Sequence, residues 1–165
     1  MPTTTLGRRP AAIVAALVTA LALALSMTVS VAGSANAATR HRKVHHALRI
    51  ARHQKGDPYR YGSDGPNRFD CSGLTYFAFH KRSGFRHFPR TASAQSHFTR
   101  HIKRSHMRAG DLIFFSGHGG VYHVGIFGGW YHGHRMVLHA PHPGERVHTQ
   151  PLWTSHWFAG TMRHR

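Results

Sequence analysis

The spacing of the apolar positions changes along this chain and divides it into an apolar N-terminal stretch, a region of helical spacing and a region of short strands. Residues 11–32 form an almost uncharged apolar stretch. From Thr39 to Gln54 the apolar residues recur at helical spacing before Gly56, which predicts a basic helix. Residues 57–66 are rich in turn formers and predict a loop. A second apolar stripe predicts a helix that begins near Cys71 or Ser72 and ends by Gly84.

The second half of the chain has a different pattern. Residues 89–95 predict a loop that leads into a short helix. From Gly110 onwards, short apolar runs between glycine-rich turns are typical of strands. The predicted strands cover residues 111–115, 121–127, 135–140 and 147–152. Because helices come first and strands second, we predict an α+β fold with N-terminal helices packed on an antiparallel sheet.

Residues 1–37 have the pattern of a secretory signal peptide. Arg8 and Arg9 form a basic start, and Ala35-Asn36-Ala37 places small residues before a cleavage site. An uncleaved anchor is the alternative, because the apolar stretch approaches the roughly 18 to 20 residues that span a bilayer. Its many Ala, Thr and Ser residues are weakly hydrophobic, so we predict cleavage. The expected product is one secreted, wall-associated domain at residues 38–165 with no stable membrane span.

The chain is strongly basic, with 22 Lys and Arg residues against 5 Asp and Glu and a net charge of +17. Such a charge favours a polyanionic partner. Export argues against nucleic acid, and no nucleic-acid-binding motif is present, so we expect an anionic cell envelope with its wall polymers. Charge that only keeps the protein soluble is the alternative. The 18 histidines include no His-Glu-x-x-His motif, and we expect neither a functional metal site nor a cofactor.

Cys71 is the only cysteine of the chain, so in an oxidising compartment it has no internal disulfide partner. Such a residue is a small buried side chain, a link to another molecule, or a nucleophile. Attack on a carbonyl requires the thiolate. The start of a helix stabilises a thiolate, and a neighbouring histidine can take the proton. We interpret Cys71, at the predicted helix start, as a catalytic nucleophile.

Two predicted strands can supply the histidine. On the strand at 121–127, His123 and Gly125 share one face, and on the strand at 135–140, His139 shares a face with Val137. If these strands pair, His123 and His139 project to the same side. His123 would then be the general base, and His139 would fix its tautomer and orientation. Gly125, on the same face, is expected to leave room for a substrate backbone.

Six sequence blocks carry a resemblance to a known family. They are Pro58-Tyr59-Arg60-Tyr61-Gly62, Phe69-Asp70-Cys71-Ser72-Gly73-Leu74, Pro89-Arg90-Thr91-Ala92-Ser93-Ala94-Gln95, Ala109-Gly110-Asp111-Leu112-Ile113-Phe114-Phe115, His123-Val124-Gly125-Ile126-Phe127 and Leu138-His139-Ala140-Pro141. In this order they resemble the NlpC/P60 family of cell-wall endopeptidases over about residues 47–157. The resemblance implies a papain-like α+β fold. It also implies a cysteine peptidase that hydrolyses peptidoglycan stem peptides, typically at the bond after D-γ-glutamate.

The resemblance also implies roles for individual residues. Cys71, His123 and His139 match the nucleophile, the base and the third polar residue of the family. Backbone N–H groups at the helix start, including that of Cys71, are expected to form an oxyanion hole. We expect the enzyme to act as a monomer.

Five further residues are expected around the substrate. Tyr59, Asp70 and Ser72 match positions that the family uses near the substrate and its free amine, and a carboxylate at Asp70 suits an ammonium group. Arg90 and Thr91 match a motif that either contacts substrate or braces a loop. Where the family often has Tyr-x-Trp-Gly-Gly, this chain has a second tyrosine and a serine, which leaves the stem-peptide preference open.

Two other functions compete with this interpretation. Papain-like relatives that use a Cys-His pair include amidases and acyltransferases, which would keep the fold and change the reaction. A cationic wall-binding or membrane-damaging protein, in which the three residues are incidental, belongs to a different class. Replacement of Cys71 separates this last hypothesis from thiol catalysis.

Overall fold

The computed structural model describes residues 35–163. The unit Thr39–Arg165 contains the sheet. The predicted signal peptide lies almost entirely outside the described residues, so it stays a prediction. Within the described residues, no helix is long and apolar enough to cross a membrane.

Within residues 35–163, three helices form one layer of the fold. The apolar stripe predicted for the first helix is buried, with Val44, Ala47 and Ala51 fully enclosed. The second helix begins at Cys71, as predicted, and its last turn widens to π-helical geometry. The bounds are 35–53 for α1, Cys71–Tyr76 for α2 with its π-helical continuation Phe77–Lys81, Ala92–Phe98 for α3, and Arg104–His106 for a 3₁₀ turn.

Six strands of the described part of the chain form the other layer. They are β1 Arg100–Ile102, β2 Leu112–Gly117, β3 Gly120–Tyr131, β4 His134–His139, β5 His148–Pro151 and β6 Trp157–Thr161. All neighbours in the sheet run antiparallel, in the order β1-β6-β2-β3-β4-β5. The predicted α+β architecture, with helices packed on an antiparallel sheet, is therefore confirmed.

The sheet is larger than the sequence pattern predicted. Strands β1 and β6 were not expected, and they pair with each other at one edge, with Arg100 opposite Thr161. Strand β1 has only three residues, two of them exposed, so it carries no alternating apolar pattern. Its extended conformation depends on pairing with β6, which is distant in sequence. Strand β3 also continues beyond the predicted end at Phe127 to Tyr131.

Side chains on the two faces of the sheet enter different apolar clusters. On the helical side, Leu112, Phe114 and Val124 pack with the buried residues of α1 and α2. On the opposite side, Phe115 and Phe127 pack in a smaller cluster. This period-two alternation fixes which side chains of β3 and β4 can meet, and it places the histidines of these strands.

Candidate active site

A cavity of about 530 Å³ opens beside the start of α2. It brings together the three predicted catalytic residues from three different elements: Cys71 from α2, His123 from β3 and His139 from β4. The residues that line it are Tyr59, Cys71, Tyr122, His123, His139, Pro141, His142, Glu145, His148, Gln150 and Trp153.

Cys71 occupies the first position of α2 and is half-buried, with a free thiol. Burial raises the pKa of this thiol above its ordinary value, and the charge of Asp70 adds to the rise. Hydrogen bonds from the backbone N–H groups of Val124 and Ser72 act in the opposite direction but do not outweigh burial. The start of α2 supplies one of these donors and β3 supplies the other, yet the thiol, not the thiolate, is the resting form.

His123 and His139 form a hydrogen-bonded pair. Nε2 of His123 lies 2.8 Å from Nδ1 of His139, and the two rings meet edge to face with centroids 5.0 Å apart. The predicted projection of both rings to one side is confirmed. Because Nε2 of His123 is engaged with His139, Nδ1 is the nitrogen that remains for the thiol of Cys71.

Both imidazoles are buried in the folded chain. His123 is 7% exposed and His139 is 1% exposed. Desolvation by burial is the main reason that the pKa of His123 falls to about 4 and the pKa of His139 to about 3. Nearby histidines, His142 among them, lower both values further. At neutral pH the pair is uncharged, which is the protonation state that a general base requires.

Two residues that the sequence interpretation missed complete this part of the site. The amide of Gln150 on β5 lies 3.0 Å from Nε2 of His139. The indole of Trp153 stacks on His139 at 5.2 Å and on Phe115 at 4.5 Å. This ring covers one side of the histidine pair and limits its contact with water.

A profile of the NlpC/P60 family matches residues 56–165. The chain belongs to this family. Murein DD-endopeptidase MepH of Escherichia coli (strain K12) is 35% identical over 136 residues, which are 76% of this chain and 48% of MepH. The chain therefore spans about half the length of this relative.

Solved structures of NlpC/P60 proteins have the same fold. The NlpC/p60 domain of the peptidoglycan hydrolase SagA gives a TM-score of 0.63 at 33% identity and covers 72% of this chain and 97% of that domain. The peptidoglycan hydrolase RipB of Mycobacterium tuberculosis gives 0.62 at 28% identity over 76% of this chain and 67% of RipB. The helices and the six-stranded antiparallel sheet described above are thus the NlpC/P60 fold.

Asp70 is saturated with hydrogen bonds inside the protein. As the N-cap of α2 it accepts from the backbone N–H of Gly73 at 2.6 Å, and it also accepts from Gly62 N–H and the Ser72 hydroxyl. Arg90 donates to both carboxylate oxygens, at 2.9 and 2.6 Å. Burial alone would raise the pKa of Asp70, but the donors, Arg90 first, hold it below its usual range.

This network differs from the expected substrate contact. Asp70, Ser72 and Arg90 bind one another behind the start of α2, and none of them lines the cavity. With five donors already engaged, the Asp70 carboxylate would have to lose Arg90 before it could bind an ammonium group. The geometry favours a role in fixing the helix that carries Cys71, and direct contact with substrate stays a prediction.

The remaining two predicted substrate residues lie in different surroundings. Tyr59 lines the cavity beside Cys71. Thr91 instead caps α3 by accepting from the backbone N–H of Ala94 at 3.3 Å. In the same NlpC/P60 block, the fully buried Gln95 donates to the carbonyl oxygen of Ser72. This block therefore ties α3 to the start of α2.

Gly125 has a packing role that the sequence interpretation did not foresee. A Cβ atom at this position would lie 2.3 Å from Cγ2 of Val137 and 3.2 Å from Cβ of His139. The expectation that Gly125 leaves room for substrate is therefore wrong. The missing side chain allows β4 to approach β3 closely, which brings His139 to His123.

The other histidines do not form a metal centre in the described part of the chain. Among residues 35–163, no group of three or more His, Cys, Asp or Glu side chains is arranged to hold a metal ion.

Proposed function

We propose that this NlpC/P60 domain is a cysteine endopeptidase that hydrolyses peptidoglycan stem peptides at the bond after D-γ-glutamate. Cys71 is the nucleophile, His123 the general base and His139 the residue that orients His123. The observation that carries the proposal is the buried His123–His139 pair, joined at 2.8 Å and sharing one cavity with the only thiol of the chain. The similarity to proteins named as peptidoglycan hydrolases supports the substrate class.

The resting protonation states set the first step of the reaction. Because burial raises the pKa of Cys71 and lowers that of His123, proton transfer accompanies attack on the carbonyl. The sulfur of Cys71 bonds to the carbonyl carbon, and its proton passes to Nδ1 of His123. The carbonyl oxygen becomes an oxyanion that backbone N–H groups at the start of α2 stabilise.

The second half of the reaction restores the enzyme. As the C–N bond breaks, His123 gives its proton to the leaving amine, and Cys71 is left as a thioester. Water then attacks the thioester while its proton passes to His123. The C–S bond breaks, the new carboxyl terminus leaves, and the proton returns from His123 to the sulfur of Cys71.

The surface charge supports a location at the cell envelope. With 22 basic and 5 acidic residues, the chain is suited to anionic wall polymers, which would hold the enzyme near peptidoglycan. Sedimentation with purified walls over a salt series tests this, because the bound fraction must fall as salt screens the charges. Binding that does not respond to salt would contradict an electrostatic attachment.

Digestion of purified peptidoglycan tests the reaction itself. Mass spectrometry of the products should show new amino termini at the residue that follows D-γ-glutamate. The variants Cys71→Ala and His123→Gln should give no product, while the matched variant His156→Gln, at an exposed histidine, should retain activity. Intact stem peptides released from glycan would indicate the amidase alternative, and newly joined peptides an acyltransferase. Lysis that survives Cys71→Ala would indicate a membrane-damaging protein.

A further inference from the structure

Gln150 extends the chain of hydrogen bonds that begins at the base. Its amide nitrogen lies 3.0 Å from Nε2 of His139, and Nδ1 of His139 lies 2.8 Å from Nε2 of His123. The three side chains come from the adjacent strands β3, β4 and β5, and the pairing of Gln150 with Val137 sets their register. The path of hydrogen bonds from Gln150 to His123 therefore passes through His139.

A hydrogen bond between two neutral imidazoles has two possible directions. In the first, Nε2–H of His123 donates to Nδ1 of His139, and Nδ1 of His123 carries the lone pair that can accept the proton of Cys71. In the second, Nδ1–H of His139 donates to Nε2 of His123, and Nδ1 of His123 already carries a proton. Only the first direction leaves His123 able to act as a base.

The direction of the hydrogen bond between the two imidazoles depends on which group faces Nε2 of His139, the nitrogen that is not bonded to His123. In the first arrangement His139 carries its proton on Nε2 and needs an acceptor there, and in the second it needs a donor. The amide of Gln150 has one end of each kind. Within the described residues this amide makes no hydrogen bond other than the one to His139, so half a turn brings its oxygen to Nε2 with no other bond lost.

The geometry points to Gln150 as a positioning residue that fixes the tautomers of the histidine pair. In the active form its amide oxygen accepts Nε2–H of His139, so that Nδ1 of His139 accepts from His123 and Nδ1 of His123 is free for the thiol. When His123 takes the proton of Cys71, every hydrogen bond already has the correct direction. No proton moves beyond His123. This inference rests on the proposed function of the same site.

Other groups also act on the histidine pair, so the effect of Gln150 must be distinguished from the effects of these groups. Trp153 covers His139, and the ring of His148 lies 5.1 Å from that of His139. The titratable groups that face the pair across the cavity are Tyr59, Cys71, Tyr122, His142, Glu145 and His148. Because a variant of Gln150 leaves all of these in place, a change in the behaviour of the pair reports on the amide.

Three variants test the inference by kinetics on soluble stem peptides. Gln150→Met keeps the length of the side chain and removes the acceptor, and it should lower kcat about tenfold to a hundredfold with little change in KM. Gln150→Glu offers only acceptor oxygens when ionised, so it should retain most of kcat and move the acid limb of the pH profile to higher pH. Thr149→Val, a nearly isosteric change at the preceding residue of β5, is the control and should behave as the wild type.

The ¹⁵N NMR signals of the imidazoles provide a readout that does not depend on activity. Wild-type protein and Gln150→Glu should show His123 and His139 each protonated at Nε2, and Gln150→Met should show mixed tautomers. An unchanged kcat in Gln150→Met, or equal losses in the Met and Glu variants, would overturn the inference. A wild-type protein without peptidase activity but with the expected tautomers would instead contradict the proposed function and leave the role of Gln150 in place.

Discussion

Burial of the histidine pair should make the stability of this domain depend steeply on pH. We predict that lowering the pH from about 7 to about 5 destabilises the wild type about twice as much as the variant His139→Gln. The sign follows from the lowered pKa values. Below about pH 6.5 an unfolded histidine binds a proton, whereas folded His123 and His139 stay neutral until about pH 4 and about pH 3. The unfolded state gains protons that the native state cannot bind, so stability falls with pH.

The size of the effect follows from the same values. At about pH 5 both native imidazoles are still almost wholly neutral, so their mutual repulsion does not enter. Each histidine then reduces the free energy of unfolding by about 2 kcal/mol relative to pH 7, and the pair by about 4 kcal/mol. These amounts are large beside the roughly 5 to 15 kcal/mol total stability of a typical domain. The part of the loss that the pair causes should level off once the pH falls below the native values, while protonation of Asp70, whose pKa lies below its usual range, adds a further loss.

Urea unfolding followed by tryptophan fluorescence at several pH values measures this directly. His139→Gln should show about half of the wild-type loss between pH 7 and 5, whatever its absolute stability. His156→Gln, at an exposed histidine, is the matched control and should show the full loss. Equal pH dependence in the wild type and in His139→Gln would refute the claim that the pair is buried in its neutral form.

Three further predictions concern the start of α2. The rate at which iodoacetamide alkylates Cys71 should rise only at a pH above the ordinary pKa of a thiol, because burial raises the pKa of Cys71 above that value. A rate that is already high and constant at acid pH would contradict a neutral resting thiol. Asp70→Asn should lower the free energy of unfolding by about 2 kcal/mol, measured by urea titration, because it removes the charge that binds Arg90; an unchanged midpoint would show that the pair contributes nothing. Gly73→Ala places a Cβ 2.0 Å from a backbone oxygen of the preceding loop and should reduce stability and activity together. Gly117→Ala, in open space, is its control, and equal stability of the two variants would refute the steric argument.

Short-range sequence signals were sufficient to predict how the three proposed catalytic residues are placed. The helix start at Cys71 follows from an apolar stripe of the helical period, and strand alternation brings His123 and His139 to one side. Both arguments depend on spacing within single elements and on the pairing of two strands that follow each other in the chain. The blocks that resemble the NlpC/P60 family then indicated how these elements are combined.

Contacts between elements that are distant in sequence could not be predicted in this way. The role of Asp70 depends on Arg90, which comes from another loop. The sequence places a carboxylate next to the proposed nucleophile, but it does not show that the carboxylate oxygens already accept hydrogen bonds within the protein. Gln150 reaches His139 only because of the register of β5 against β4. A shift of one residue would have pointed Gln150 to the other face, and nothing in this short polar strand fixes that register in advance.

Burial of Cys71 would also protect a lone thiol in the oxidising compartment that the predicted signal peptide implies. The thiolate is the form that reacts with oxidants and disulfides, and burial keeps Cys71 protonated. His123 is neutral in the resting state and therefore does not stabilise a thiolate by charge. In the proposed mechanism the thiol loses its proton to His123 only as its sulfur bonds to a bound carbonyl, and the negative charge develops on the carbonyl oxygen beside the N–H groups of α2. We therefore expect the reactivity of Cys71 to depend on bound substrate, because burial raises the pKa of its thiol and His123 is neutral in the resting state.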